Sequence, residues 1–175
     1  MYYKTEYNSP LGRILLTASE TTLCGLSFDT HPPCGGSESA VFGDNGVLRD
    51  VRKWLDAYFA GERVSPKSLP LDPRGSAFAR CVWQILAEIP YGETLTYGDI
   101  AKRIAAERGV AKMSAQAVGG AVGRNEISII VPCHRVVGSK GSLTGYAGGI
   151  WKKIELLKLE GAWKESFFVP AKSTA

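Results

Sequence analysis

Cys133 and His134 stand side by side in Ile129-Ile130-Val131-Pro132-Cys133-His134-Arg135-Val136-Val137-Gly138, a polar trio between two β-branched runs. Such runs go inside, and the trio goes in with them. A thiol attacks carbon only as thiolate, and a neighbouring imidazole is one of the few groups able to lower its pKa or take its proton. Two readings follow: Cys133 is a small core hydrophobe, or it is a nucleophile with His134 as its base. Pro132 fixes the backbone and lacks a donor, so the thiol sits where an extended segment must turn. If residues 129 to 137 run extended, Cys133 and His134 point to opposite sides, and a relay between them needs a turn or a water.

A third group comes from further along. Ile150, Ile154, Leu156 and Leu157 give a helix over 150–159 an apolar face. At about 100° per residue Glu160 projects between Leu156 and Leu157, whereas Glu155 points away. A buried carboxylate wants a partner, so Glu160 either caps or pairs structurally, or orients an imidazole. Arg135 reads as a buried guanidinium that needs a carboxylate. Asn125 either satisfies loose backbone groups in the turn before Cys133 or merely ends a helix.

The elements that position these groups make an α+β chain. Tyr2 to Tyr7, Arg13 to Ala18 and Thr22 to Phe28 read as strands of an antiparallel meander, with turn chemistry in Asn8-Ser9-Pro10-Leu11-Gly12. His31 to Asn45 reads as a loop. Leu48, Val51, Leu55, Tyr58 and Phe59 recur at helical spacing and stop at Gly61, a helix to cover one face of the sheet. Pro66, Pro70, Pro73 and Gly75 make a semi-rigid linker, which divides the chain into an N-terminal domain, 1–72, and a C-terminal domain, 73–175. In the second, mainly helical domain, Ser76 caps a helix with a stripe of Phe78, Val82, Ile85 and Leu86, Trp83 beside them.

Thr96 and Asp99 form a capping pair for a short helix whose inner face is Tyr97, Ile100, Ala101, Ile104 and Ala105, ending near Gly109. Ser114 caps the next helix, with Ala115, Val118, Ala121 and Val122 pointing one way. On its other face Gln116, Gly119, Gly120 and Gly123 leave almost no side chains, at about 0.8 to 1.0 kcal/mol per glycine relative to alanine. Two short helices across a turn are the helix-turn-helix form, and a glycine face admits either a DNA backbone or a close protein neighbour. The glycine-rich loop from Gly138 to Gly149 lines a pocket or simply turns. After it, Phe167 to Ala175 reads as a frayed tail, with Ser166-Phe167-Phe168-Val169 as its last ordered piece.

With 45% hydrophobic and 22% charged residues among 175, the chain is an ordinary globular protein, and a net charge of +4 permits a polyanionic partner without requiring one. No stretch approaches the ~20 apolar residues of a membrane span, and Met1-Tyr2-Tyr3-Lys4 opens no signal core, which places the protein in the cytoplasm. The cysteines Cys24, Cys34, Cys81 and Cys133 are then reduced thiols. Cys24, His31 and Cys34 raise zinc, but without the paired spacing of structural sites, so no metal is expected.

Pro132-Cys133-His134-Arg135 with Val136-Val137, Asn125 upstream, Leu95-Thr96-Tyr97-Gly98, Tyr146-Ala147-Gly148-Gly149 and Glu160-Gly161 together resemble the O6-alkylguanine DNA alkyltransferases over Ser76 to Trp163. The resemblance implies a ribonuclease H-like N-terminal domain and irreversible transfer of an alkyl group from guanine O6 to Cys133, leaving O4 of thymine open. It implies Glu160 orienting His134, His134 acting through a water on Cys133, and Asn125 holding helix and strand together. Guanine would meet Tyr97 at N3, the Val136 and Cys133 carbonyls at its amine, and Tyr146, Ala147 and Gly148 around ring and O6. Ser114, Ala115, Gln116, Gly119, Gly120, Gly123 and Arg124 would face double-stranded DNA from the minor groove, the damaged nucleotide rotated out. Gln116 stands where these proteins commonly place an arginine that enters the duplex. No cofactor is implied, and the chain would act as a monomer. A cysteine hydrolase built on Cys133, His134 and Glu160, and a non-catalytic helix-turn-helix module, remain as rival readings.

Overall fold

The computed structural model describes residues 1–28 and 37–171. Two compact units follow from the chain's contacts: Met1–Arg74 with Glu126–Ile130, and Gly75–Asn125 with Val131–Ala175. Together they make a mixed α+β architecture. The short return 126–130 is a piece of the first unit that a single cut at 72/73 does not capture. His31 and Cys34 lie outside the described residues, as does the end of the tail.

In the first unit β1 (Tyr3–Ser9), β2 (Gly12–Ala18) and β3 (Leu23–Phe28) form the antiparallel meander expected from their β-forming runs. Its first turn is closed by Ser9, whose hydroxyl oxygen accepts from Leu11 N–H at 3.1 Å, and by Gly12 at φ 118°. The segment read as loop supplies one more strand, β4 (Val41–Phe42), parallel to β1, so the order is β3-β2-β1-β4. Two residues leave too little pattern to read. Helix α1 (Gly46–Phe59) is capped by the Asn45 side chain and lies against β1 and β2, burying Leu48, Val51, Trp54, Leu55 and Tyr58. The proline-rich stretch is also more regular than a linker: Leu23 N–H donates to Pro70 O at 2.8 Å and Asp72 N–H to Leu23 O at 2.9 Å. Further along the same outer edge of β3, residues 126–128 pair with Leu26 in the same way.

The second unit packs α2 (Ala77–Glu88), α3 (Tyr97–Arg108) and α4 (Ala115–Gly123) on one another. Each is capped where its sequence places a cap: Ser76, the reciprocal Thr96–Asp99 box, and Ser114. Two inward assignments change. Phe78 is half-buried with the Arg108 guanidinium over its ring, and Ala115 is exposed; Ala79 and Trp83 fill the α2 face instead, with Trp83 Nε1 donating to Ala121 O at 2.9 Å. A short parallel ladder of β5 (Leu95–Thr96) with β6 (Val136–Val137) brings the start of α3 to the segment after Cys133. Helix α5 (Ile150–Leu159) follows the glycine loop. Among the described residues no helix is long and apolar enough to cross a membrane.

Candidate active site and nucleic-acid interface

The chain already turns over 128–130, with Ile129 at φ 69°, and from Pro132 at φ −82° and ψ 68° it enters one turn of 3-10 helix over Cys133–Arg135. Cys133 N–H donates to Val131 O at 2.8 Å and Arg135 N–H to Pro132 O at 3.0 Å. An extended 129–137 is therefore corrected. The trio fans out from a single turn, and this lets His134 and Arg135 converge on one carboxylate.

That carboxylate is Glu160, the C-cap of α5. His134 Nε2 lies 2.7 Å from its Oε1, while Arg135 donates from Nε to Oε2 at 2.8 Å and from Nη2 to Oε1 at 2.9 Å. Arg135 Nη1 donates to Ile89 O at 2.6 Å. All three side chains are buried. Burial would raise the Glu160 pKa, but the hydrogen bonds and charges of His134 and Arg135 prevail and hold it well below the carboxylate range. An ionised carboxylate can only accept, so Nε2 carries the proton and a neutral imidazole keeps its lone pair on Nδ1. Burial lowers the His134 pKa against the pull of Glu160, so the resting ring is neutral. Its Nδ1 is buried with no hydrogen-bond partner among the described residues. The arrangement is a base with its tautomer fixed.

Cys133 is a buried free thiol. Burial pushes its pKa up, against a hydrogen bond from Asn125, the charge of Lys153 and the backbone N–H groups of Cys133 and His134. The Asn125 amide also donates from Nδ2 to Val131 O at 2.8 Å, joining the end of α4 to the run into the thiol. Lys153 was not among the residues read from the sequence. It is 0% exposed on α5, its Nζ 3.5 Å from Thr144 O, and burial lowers its pKa to about 8 against the attraction of Cys133. The signal was present: Lys153 falls three and four residues before Leu156 and Leu157, on the apolar face.

Tyr97 opens α3, and its hydroxyl donates to the same Thr144 O at 3.3 Å. It borders an open pocket of 790 Å³ whose walls include Ala115, Gln116, Gly119 and Gly120 of α4 and Ser139, Thr144 and Gly145 of the glycine loop. No charged residue lines it. Cys133, Val136, Tyr146, Ala147 and Gly148 are not among its walls; Val136, Tyr146 and Gly148 are buried and Ala147 half-buried. Ser114, Gly123 and Arg124 also lie outside it. The glycines of α4 serve different ends. A Cβ on Gly119 would touch the Tyr97 ring at 3.8 Å, one on Gly120 would press the Arg124 guanidinium at 3.3 Å, and one on Gly123 would meet nothing within 4 Å. Among the described residues no three His, Cys, Asp or Glu side chains gather to hold a metal ion.

Residues 77–162 match the model of the 6-O-methylguanine DNA methyltransferase DNA-binding domain, and residues 1–73 that family's ribonuclease-like domain. A methylated-DNA–protein-cysteine methyltransferase of Methanosarcina acetivorans is 45% identical over 93% of this chain and 99% of its own length. One from Haemophilus influenzae is 40% identical over 90% and 86%. Among solved structures, the Mycobacterium tuberculosis O6-methylguanine methyltransferase superposes with a TM-score of 0.79 at 39% identity, over 98% of this chain and 97% of that one. The same organism's OGT in complex with DNA gives 0.79 at 40% identity, over 90% and 92%. Since the two family models between them cover nearly all of the sequence, from the sheet unit through Glu160, the chain belongs to the 6-O-methylguanine DNA methyltransferase family.

Proposed function

We propose that this chain repairs DNA directly, taking the alkyl group from O6 of guanine onto Cys133 once per molecule. The observation that carries the reading is the buried turn in which a free thiol adjoins a histidine whose proton is pinned on Nε2 by Glu160. Cys133 gives its proton through a water to His134 Nδ1. The sulfur then forms its bond to carbon as the carbon–O6 bond breaks, the O6 electron pair becomes the guanine carbonyl, and ring N1 regains a proton. Atoms and charge balance without a cofactor. A thioether is a poor leaving group, so the protein is spent.

Other roles follow the resemblance. Tyr97 exchanges its bond to Thr144 for guanine N3, and the Val136 and Cys133 carbonyls take the exocyclic amine. Tyr146, Ala147 and Gly148 enclose ring and O6. A site that hydrogen-bonds a base edge rejects bases lacking the matching groups. The thiol is buried and an atom at a stacked base edge cannot reach it, so the nucleotide is rotated out of the duplex. Helix α4, from its Ser114 cap through Ala115, Gln116, Gly119, Gly120 and Gly123 to Arg124, approaches the minor groove. In this reading 73–175 binds DNA and transfers the alkyl group. The protein works as a monomer in the cytoplasm, where thiols stay reduced.

Intact mass after incubation with duplex DNA bearing O6-methylguanine tests the reading. The protein gains one CH2, mapped to Cys133, and product stops at one equivalent of protein. Repeated turnover would favour a hydrolase instead, and a methyl on Cys24, Cys34 or Cys81 would overturn the assignment.

A further inference from the structure

The segment after Trp163 lies beyond residues 77–162 matched by the family's DNA-binding domain, and the chemistry above gives it no part. It is nevertheless tied to the loop that walls the pocket. Phe168 N–H donates to Gly141 O at 3.1 Å, and Phe168 O accepts from Leu143 N–H at 2.8 Å, a parallel bridge across Ser142. Phe167 is buried in a cluster with Val137, Leu143, Leu157 and Ala162, edge-on to Trp163 with ring centroids 5.7 Å apart. Gly141 sits at φ 85°, and a Cβ there would come within 2.8 Å of the Phe167 ring, so loop and tail are fitted to each other. Leu143 is fully buried. The next residue, Thr144, offers the carbonyl shared by the Tyr97 hydroxyl and the Lys153 ammonium.

We propose that Phe167 and Phe168 are positioning residues for base recognition: together they strap the 138–145 loop, and so set the Thr144 carbonyl and the pocket wall before substrate arrives. This rests on the proposed function. A loop this rich in glycine loses conformational freedom when it is ordered, and ordering it in the free protein spares the base that cost on binding. The two residues contribute differently. Phe167 acts through its buried ring; Phe168, whose side chain is 48% exposed, acts through its backbone.

Phe168→Pro separates pairing from burial, since proline has no N–H for Gly141 O and the exposed ring leaves no core cavity. With free O6-benzylguanine as substrate, the half-saturating concentration rises about three- to tenfold for the lost hydrogen bond, while the maximal rate of Cys133 alkylation holds. Reaction of Cys133 with iodoacetamide also stays at the wild-type rate, and amide exchange at Leu143 accelerates. Phe167→Ala produces the larger rise, and Phe167→Leu restores most of the affinity. An unchanged half-saturating concentration in Phe168→Pro overturns the strap, as does a parallel fall in maximal rate and iodoacetamide reactivity, which would mark general loosening. Should Phe167→Ala fail to fold, Phe168→Pro still decides. Wild-type protein that accepts no alkyl group on Cys133 defeats the functional reading, whereas amide exchange at Leu143 tests the strap independently.

Discussion

Two sides of the second unit are built in opposite ways. Behind Cys133, four ionisable side chains, His134, Arg135, Lys153 and Glu160, are buried in the core. Along the pocket, α4 presents glycine, alanine and a glutamine with no charged residue in the wall. The difference teaches where each task places its cost. Groups that move a proton must have no alternative partner, so they are held where desolvation is repaid only by fixed hydrogen bonds. A surface that receives a large partner does better left empty. Changes behind the thiol should therefore alter rate and stability together, whereas changes on α4 should alter binding with little harm to the fold.

Glu160→Gln is the strongest test on the buried side. Both neighbours donate to the carboxylate, and an amide can accept through only one of its two atoms. If its NH2 faces His134, the ring must turn acceptor at Nε2 and move its proton to Nδ1, which removes the base. Single-turnover transfer is expected to slow by ~10²–10⁴. Because Arg135 also loses part of its partner, urea unfolding should show a loss of roughly 3–5 kcal/mol, with DNA affinity nearly unchanged. A wild-type rate in a variant that has lost that stability would leave Glu160 as the counter-ion of Arg135 and nothing more.

Lys153→Met should alter both rate and stability, in opposite directions. Without the ammonium the buried thiol ionises less readily, and one unit of pKa would slow transfer about tenfold near neutral pH. Stability moves the other way. The Lys153 pKa falls from 10.5 to about 8 on folding, so between those values the unfolded chain holds a proton that the folded one has released. Wild-type stability thus rises with pH across that window, by at most roughly 3 kcal/mol, and below it the folded protein carries the cost of a buried charge. The Met variant should be the more stable at pH 7 and should lack the rise. Urea titrations at pH 7 and pH 10 beside single-turnover rates decide it; an equal rise in both proteins would mean that Lys153 is not the group titrating.

Much of this architecture was legible. The meander, the caps at Ser76, Thr96 and Ser114 and the inward aim of Glu160 follow from period and cap chemistry alone. What escaped depended on backbone detail or on distant partners. The two β-branched runs around the trio look extended, and only the backbone torsions, a positive φ at Ile129 and the bend at Pro132, show the turn that leads into the helical turn Cys133–Arg135. Arg135 was seen to need a carboxylate, but nothing local says that Glu160 serves both it and His134. Lys153, beside Lys152 and Glu155, reads as part of a solvated face unless its register with Leu156 and Leu157 is counted. Strand β4 and the pairing at 70–72 are held by neighbours far away in sequence.

On the open side, Gly123→Ala isolates the recognition surface. A Cβ there meets nothing in the protein, so the helix should gain about 0.8–1.0 kcal/mol from propensity alone. If a DNA backbone comes close to this face, duplex affinity falls while thermal stability rises. Reaction with free O6-benzylguanine should be untouched. A rise in stability with unaltered duplex affinity would place the DNA elsewhere on α4.

The smallest effect is expected from Gln116→Arg, and it asks whether the uncharged wall is a choice. Gln116 is exposed and borders the pocket, at the position where the resembling proteins commonly carry an arginine that fills the gap left by the extruded nucleotide. An amide can hydrogen-bond the orphaned base, but it brings no charge to the duplex and less surface to stack. Arginine at 116 should tighten duplex binding modestly and steepen its salt dependence by up to about one counterion. It should also speed repair of duplex DNA more than reaction with the free base, because the free base needs no extrusion. Neither the buried cluster nor the tail strap is touched by this change, so the alkylation rate of the free base serves as an internal reference. Equal acceleration on both substrates, or none on either across a salt series, would mean that Gln116 does not face the DNA, and the wall would then owe its neutrality to something other than the duplex.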